Sequence, residues 1–306
     1  MPHITGSSLN RKGPKTFSFD FKDQLPVTKE RLEEGGESKA LLYYASAYRS
    51  RKKAFVVKIF SNSKYYNAEK KVMKDIADKC GSFTMATWVN DRHFAIILPR
   101  MDMDLIDWYG KYIEKAEKPC VYLRDIRDLY RYLLKTLQCL HKNGIYYLDM
   151  KLDNVLVNVD AKGHIKKATL IDFDGSVMAR KDRARRLSEG LSTYPYPSQY
   201  RKSLVAIDLW NLGYMFLLFW IDNEAYLEKL LMGAKSMDDL RVRIRQVTHK
   251  VQDVLSRCVR SKKDLELIDS LGTFLEMTFS CTKTQCGPRA RLSSVHSLLK
   301  SRFIHT

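Results

Sequence analysis

Apolar residues follow two different periodicities along this chain. Short runs with strand character stand at Phe55-Val56-Val57, Ile96-Ile97-Leu98 and Val155-Leu156-Val157. Between the first two, Asn67-Ala68-Glu69-Lys70-Lys71-Val72-Met73 is compatible with a helix. Later, Leu240, Ile244, Val247, Val251, Val254, Leu255 and Cys258 recur at helical spacing and predict an amphipathic helix near 239–259. Its other face carries Arg241, Arg243, Arg245, Lys250, Arg257 and Arg260, continuing into Lys262 and Lys263. Such a face is either the solvated side of a core helix or a docking surface for an anionic partner. Residues 204–221 are apolar enough to suggest a membrane span. Asp208 and Asn211 interrupt that run, so a helix buried all round is expected and no membrane partner. Residues 1–24 hold Gly, Ser, Pro and Lys without periodicity and predict a disordered basic leader.

Composition narrows the picture. A chain of 306 residues can hold one small β-rich lobe and one larger helical lobe, each with its own core. The hydrophobic share of 45% is ordinary for a globular protein. The six cysteines form no C-x-x-C pair and no metal spacing, so reduced intracellular thiols, in cytoplasm or nucleus, are expected. No apolar core of a signal peptide stands at the N-terminus. The formal charge of +18 favours acidic partners or nucleoprotein surfaces, at residues 241–263 above all, although no nucleic-acid motif sharpens that reading.

The stretch that carries chemistry is Tyr147-Leu148-Asp149-Met150-Lys151-Leu152-Asp153-Asn154, with Asp172-Phe173-Asp174-Gly175 beginning eighteen residues after Asn154. A D-x-K-x-x-N loop entering one apolar strand, then an Ile-Asp-Phe after a second, suits phosphoryl transfer from ATP. One carboxylate orients the acceptor hydroxyl, a lysine neutralises charge on the γ-phosphate, and an amide and a second carboxylate hold magnesium. The pair resembles the catalytic loop and metal motif of eukaryotic-type protein kinases. That resemblance implies an α+β, bilobal fold, with residues 25–98 a small β-rich N-lobe and 99–306 the hinge and a larger helical C-lobe. It implies catalytic roles for Asp149, Lys151, Lys58 and Glu69, with Asn154 and Asp172 as ligands for Mg²⁺, or Mn²⁺ in its place.

Other landmarks extend the resemblance over roughly residues 30–304. Phe55-Val56-Val57-Lys58 resembles the strand whose lysine contacts the α- and β-phosphates, and Glu69 is the only acidic residue between Ile59 and Lys74 able to hold it. Glu34-Gly35-Gly36-Glu37-Ser38-Lys39-Ala40-Leu41 occupies the place of the glycine-rich loop, but only Gly36 matches. This loop should therefore grip nucleotide less well. Ile96-Ile97-Leu98-Pro99-Arg100-Met101 resembles a strand running into the hinge, with Leu98 as gatekeeper and Pro99 and Met101 facing adenine through their backbones. Leu41, Val56 and Leu156 would sandwich the ring. Asp208-Leu209-Trp210-Asn211-Leu212-Gly213 matches the helix whose aspartate fixes the catalytic-loop backbone. Leu137 to Ile145 and Arg289 to Ile304 match two further signatures.

The departures from the family carry their own expectations. Tyr147 and Leu148 replace His-Arg, so no cation adjoins Asp149 to receive a phosphate on the activation segment. Activity without activation-segment phosphorylation is expected. The metal motif has its glycine one place late, and Ser198 stands where a glutamate partner for Arg291 is usual. Lys151 resembles the serine/threonine class. For substrates, Asp153 resembles the acidic residue of kinases that prefer basic peptides, whereas Arg180, Lys181, Arg183, Arg185 and Arg186 favour protein substrates that are acidic or already phosphorylated. The compact build, and Leu98-Pro99-Arg100 followed by Asp104-Leu105, resembles kinases of large DNA viruses, herpesviruses among them. Such an origin implies a host cell and its virions as the setting. Two rival readings remain: a pseudokinase scaffold using the basic surface, and a small-molecule kinase of similar fold.

Overall fold

A computed structural model describes residues 3–8, 16–20, 33–34, 38–45, 53–80, 88–92, 94–115, 119–173, 177–178, 194–197, 200, 203–221, 223–257, 259, 261–279 and 293–305. The chain divides into two compact units, Met1–Asp102 and Met103–Thr306. The division falls four residues later than the expected one after residue 98.

The first unit holds β1 (His3–Ser8), β2 (Thr16–Asp20), β3 (Glu33–Glu34), β4 (Ser38–Ala45), β5 (Lys53–Phe60), α1 (Ser63–Cys80), β6 (Trp88–Asn90) and β7 (Ala95–Pro99). Its strands form one antiparallel sheet in the order β2-β1-β6-β7-β5-β4-β3. The hairpin β1–β2 corrects the expectation of a disordered leader. Alternation within Thr16–Asp20, together with the edge that β6 offers to β1, favours this pairing. Phe60, Tyr66, Val89 and Ile96 form a buried cluster, with Tyr65, Phe94 and Leu98 packed against it. The Tyr66 hydroxyl donates to Asp91 Oδ1 at 2.5 Å, and Lys70 pairs with the same carboxylate. Those bonds, Lys70 first, hold the Asp91 carboxyl below its usual range.

The second unit is mostly helical. It comprises β8 (Met103–Asp104), α2 (Leu105–Trp108) running into a π-helical turn (Tyr109–Ile113), and a 3₁₀ turn (Pro119–Tyr122) leading into α3 (Leu123–Lys142). Then come β9 (Ile145–Tyr146), β10 (Val155–Val159), β11 (Ile165–Leu170), β12 (Val177–Met178), α4 (Leu204–Leu218), α5 (Glu224–Met232), α6 (Met237–Ser256), α7 (Lys262–Phe279), α8 (Ser293–Leu299) and α9 (Arg302–His305). Two small sheets, β11-β10-β8 and β12-β9, lie among the helices. Local sequence starts several of them: the side chains of Ser203, Asn223 and Ser236 accept the backbone N–H that opens α4, α5 and α6.

Residues 204–217 of α4 are all buried, which accounts for its near-uniform apolar sequence. Among the described residues no helix is long and apolar enough to cross a membrane. Around α4, Tyr130 meets Phe216 edge-on at 4.8 Å and donates its hydroxyl to Leu212 O. Phe274 and Phe303 extend the same aromatic core.

The β10–β11 hairpin is tied down at its turn. Asp160 accepts from the N–H groups of Lys162 and His164, while Trp108 Nε1 donates to Gly163 O at 2.8 Å. Asp125 on α3 accepts from Ile165 N and pairs with His164 Nδ1, both at 2.9 Å. Gly163 has φ +88, and a Cβ there would lie 2.4 Å from the Tyr112 ring. Only glycine fits that turn.

Helix α6 keeps the expected face: Leu240, Ile244, Val247, Val251 and Leu255 are buried, although Val254 is exposed. Its cations are largely matched. Arg241 pairs with Asp238, Arg243 with Asp239, and Arg245 with Glu276 on α7. Cys80, Cys120 and Cys139 are disulfide-bonded, and no free cysteine stands among the described residues, which corrects the expectation of reduced thiols. The spacing of cysteines in sequence cannot report which distant ones the fold brings together.

Candidate active site

The expected site residues divide between the two units. In the first, Lys58 sits on β5 between β4 and β7, and α1 brings Glu69 to it, with Nζ 2.8 Å from Oε2. Glu69 is buried and Lys58 half-buried, so the pair is partly desolvated and stronger than a surface ion pair. Strand pairing sets Val56 opposite Leu98 and Lys58 opposite Ile96, which puts Val56, Lys58 and Leu98 on one face. On the other side Leu42 pairs with Val56, while position 41 pairs with Val57. By backbone register position 41 therefore belongs to the face opposite that of Val56. A one-residue slip in reading a strand exchanges its faces. Pro99 closes β7 opposite Phe55, and Met101 is buried two residues on. Gly36 lies outside the described residues, as do Asp174, Gly175, the Arg180–Arg186 run, Ser198 and Arg291.

The second unit holds the loop Tyr147–Asn154. Its backbone is gripped from α4. Asp208, fully buried, accepts from Tyr147 N at 3.1 Å and Leu148 N at 2.7 Å, with His141 Nε2 at 2.7 Å. Asn211 Nδ2 donates to Leu148 O at 3.0 Å. Both backbone groups of Leu148 are thus held, at a φ of +65 that an L-residue rarely adopts. Leu148 itself is buried, so the position where the family carries a cation is filled by a core side chain.

That grip aims the polar residues which follow. Asn154, buried where β10 begins, donates from Nδ2 to Asp149 Oδ2 at 2.7 Å and to Asp149 O at 3.0 Å. Lys151 Nζ lies 3.9 Å from the same carboxylate oxygen. Ile171 N donates to Asn154 O at 3.0 Å, tying the start of β10 to the segment carrying Asp172. The Tyr147 hydroxyl donates to Ile171 O, and its ring meets Phe173 edge-on at 5.2 Å. Asp172, between these two anchors, has φ +57, a region aspartate tolerates better than most residues. Leu156 lies half-buried on β10 opposite Asp104. Asp149, Lys151, Asn154 and Asp172 are therefore presented by two adjoining loops with shared backbone bonds.

A hard divalent ion takes oxygen ligands. Asn154 commits its amide nitrogen to Asp149, which leaves its carbonyl oxygen as a ligand, and Asp172 offers a carboxylate. No group of three or more His, Cys, Asp or Glu stands ready for a metal among the described residues. The donor set fits a hard divalent ion whose remaining ligands come from nucleotide phosphates and water.

Sequence reasoning gave no site role to His141, Asn211, Asp104 or Tyr194. The side chain of Asp104 caps α2 by accepting from Asp107 N at 2.8 Å. Burial pushes its carboxyl above the usual range, and Asp107 and Asp153 add to the effect. Tyr194 stacks on Tyr214 at 4.5 Å, and burial, then the charges of Glu224 and Asp153, push its phenol up. Asn211 had a signal, being a polar residue in an apolar run.

Two comparisons with known proteins bear on this arrangement. The family described as "Protein kinase domain" matches residues 28–302. "NUAK family SNF1-like kinase 2" of Rattus norvegicus is 35% identical over 101 residues, which is 32% of this chain and 15% of that protein.

Proposed function

This chain belongs to the protein kinase family, and we propose that it transfers the γ-phosphate of ATP to serine and threonine hydroxyls of proteins. The observation that carries the reading is the pair of hydrogen bonds that Asn154 donates to Asp149, made within a loop whose backbone Asp208 and Asn211 hold. Held in that way, the Asp149 carboxylate orients an incoming hydroxyl and takes its proton as the new ester bond forms. Lys151, beside that carboxylate, neutralises charge on the transferred phosphoryl group, while Lys58, oriented by Glu69, contacts the remaining phosphates. Asn154 and Asp172 would hold Mg²⁺ or Mn²⁺, which when bound supplies charge neutralisation at the phosphates. Val56 and Leu98, which share a face of the β5–β7 pair, suit one side of an adenine ring.

Substrate choice follows from two opposed features. The cation run Arg180–Arg186 favours acidic or phosphorylated sequences. Asp153, close enough to Asp104 to raise its carboxyl pKa together with Asp107, favours basic ones. A peptide array separates them: dominant arginine upstream of the acceptor assigns the choice to the aspartates.

The test of the function is Mg-ATP turnover on a protein panel with the wild-type chain and Asp149→Asn. Transfer by the wild type that falls by about 10²-fold or more in the variant, with unfolding unchanged, is expected. No transfer by the wild type would favour a scaffold that keeps the fold without the reaction.

A further inference from the structure

The cations of α6 do not form one continuous free surface. Arg241, Arg243 and Arg245 are matched by Asp238, Asp239 and Glu276, and Lys250 donates to the Tyr226 hydroxyl at 2.6 Å. What is left lies at the end of the hairpin formed by α6 and α7. There Arg257, Lys262 and Lys263 are exposed and make no ion pair among the described residues. The one carboxylate of that turn, Asp264, is held by Ser261 and by Arg124 of α3, at 2.7 and 2.8 Å.

Helix chemistry explains Arg257, which sits at the C-terminal end of α6 where a cation is favoured. It does not explain Lys262 and Lys263. They open α7, where the helix dipole is positive and lysine is disfavoured. Apolar side chains stand beside them. Gln252 reaches Ile268 O at 3.0 Å and Arg245 reaches Glu276, a register that sets residues 254–256 level with 264–266. Val254 and Leu265, each 40% exposed, therefore lie at the same end of the hairpin as the cations.

We propose that this hairpin end is a docking surface for an acidic protein segment that carries aliphatic anchors. It narrows the basic-surface reading of residues 241–263 and does not depend on phosphoryl transfer. The chemistry fits that partner better than others. Residues 254–265 contain no aromatic side chain on which a nucleic-acid base could stack. Two aliphatic residues are too few to anchor a helix face in a lipid interface. The chain's formal charge of +18 adds long-range attraction for an acidic partner.

The test uses the full chain and fluorescence anisotropy with a labelled Glu- and Leu-rich helical peptide, alongside polyuridylate RNA and phosphatidylserine vesicles. Lys262→Glu with Lys263→Glu replaces disfavoured residues at a helix N-terminus by favoured ones, so the fold is retained. That double variant should lose about tenfold or more in peptide affinity with an unchanged or higher Tm, and Leu265→Ser should also weaken binding. Arg241→Ala with Arg245→Ala should bind like the wild type. Equal binding by the Lys262/Lys263 variant overturns the proposal, as does tighter binding of RNA or vesicles than of peptide. Phosphorylation of an unrelated peptide by the same variants reports on catalysis separately.

Discussion

Removing the charge of Asp208 should damage catalysis far more than folding. Its Oδ1 takes the N–H of Leu148, and its Oδ2 takes the N–H of Tyr147 beside His141 Nε2. Asparagine keeps one oxygen, and the lower-energy choice leaves that oxygen at the Oδ2 position. The Leu148 N–H then faces an amide NH₂ in a fully buried place, at a cost of about 1–3 kcal/mol. Leu148 can offset part of this by leaving its φ of +65, which relieves about 1–2 kcal/mol of left-handed strain. Net destabilisation of about 1–2 kcal/mol is therefore expected from these terms in Asp208→Asn. The same relaxation swings Asp149, the next residue, and a displacement near 1 Å costs about 10²-fold in rate. Urea unfolding and steady-state peptide phosphorylation measure the two effects. Turnover within about threefold of wild type would refute the claim that α4 aims the catalytic loop. Adding Leu148→Gly, which accepts positive φ without strain, should recover part of the lost rate.

Three further expectations can be checked directly. Phosphatase treatment should change turnover by less than about twofold, because buried Leu148 offers no cation to a phosphate on the activation segment; a tenfold fall assigns that gating to another residue. Gly163→Ala should destabilise by about 1–3 kcal/mol in thermal or urea unfolding, since its Cβ would meet the Tyr112 ring at a φ that alanine also resists. Asp104→Asn keeps a capping oxygen for α2 and removes a carboxyl that burial holds above its usual pKa. A raised folded pKa means that ionisation costs stability as pH climbs past the unfolded value. The variant should therefore be the more stable near neutrality, with its advantage fading below about pH 4; an advantage that persists in acid contradicts the assignment to ionisation.

Some of this site was legible in the residues themselves. Asp149, Lys151 and Asn154 lie within six positions of one another, so a local loop motif nearly determines their grouping. Lys58 and Glu69 could be matched because the intervening stretch contains no rival carboxylate. Other features depend on pairings that sequence does not print. Which of Leu41 and Leu42 shares a face with Val56 is a matter of strand register, and both are leucine. The hairpin of residues 3–20 needed a neighbouring edge at β6 before its modest alternation meant anything. His141 reaches Asp208 from 67 positions away, a contact that only the packing of α3 on α4 creates. The disulfides likewise follow from three-dimensional proximity, which cysteine spacing left open.

The β10–β11 hairpin has a consequence for how the chain tolerates insertion and deletion. β10 starts immediately after Asn154, and β11 ends two residues before Asp172, so the ladder fixes the offset between the amide and the carboxylate. Losing one residue from β11 would exchange its inward and outward faces and carry Ile171 away from Asn154 O and the Tyr147 hydroxyl together. The irregularity at Asn158 and Val159 is where an odd residue is already absorbed, and it lies at the end of the ladder remote from both catalytic loops. Length variation should therefore be confined to that distal end, and the hairpin behaves as a caliper whose jaws are set by counting residues.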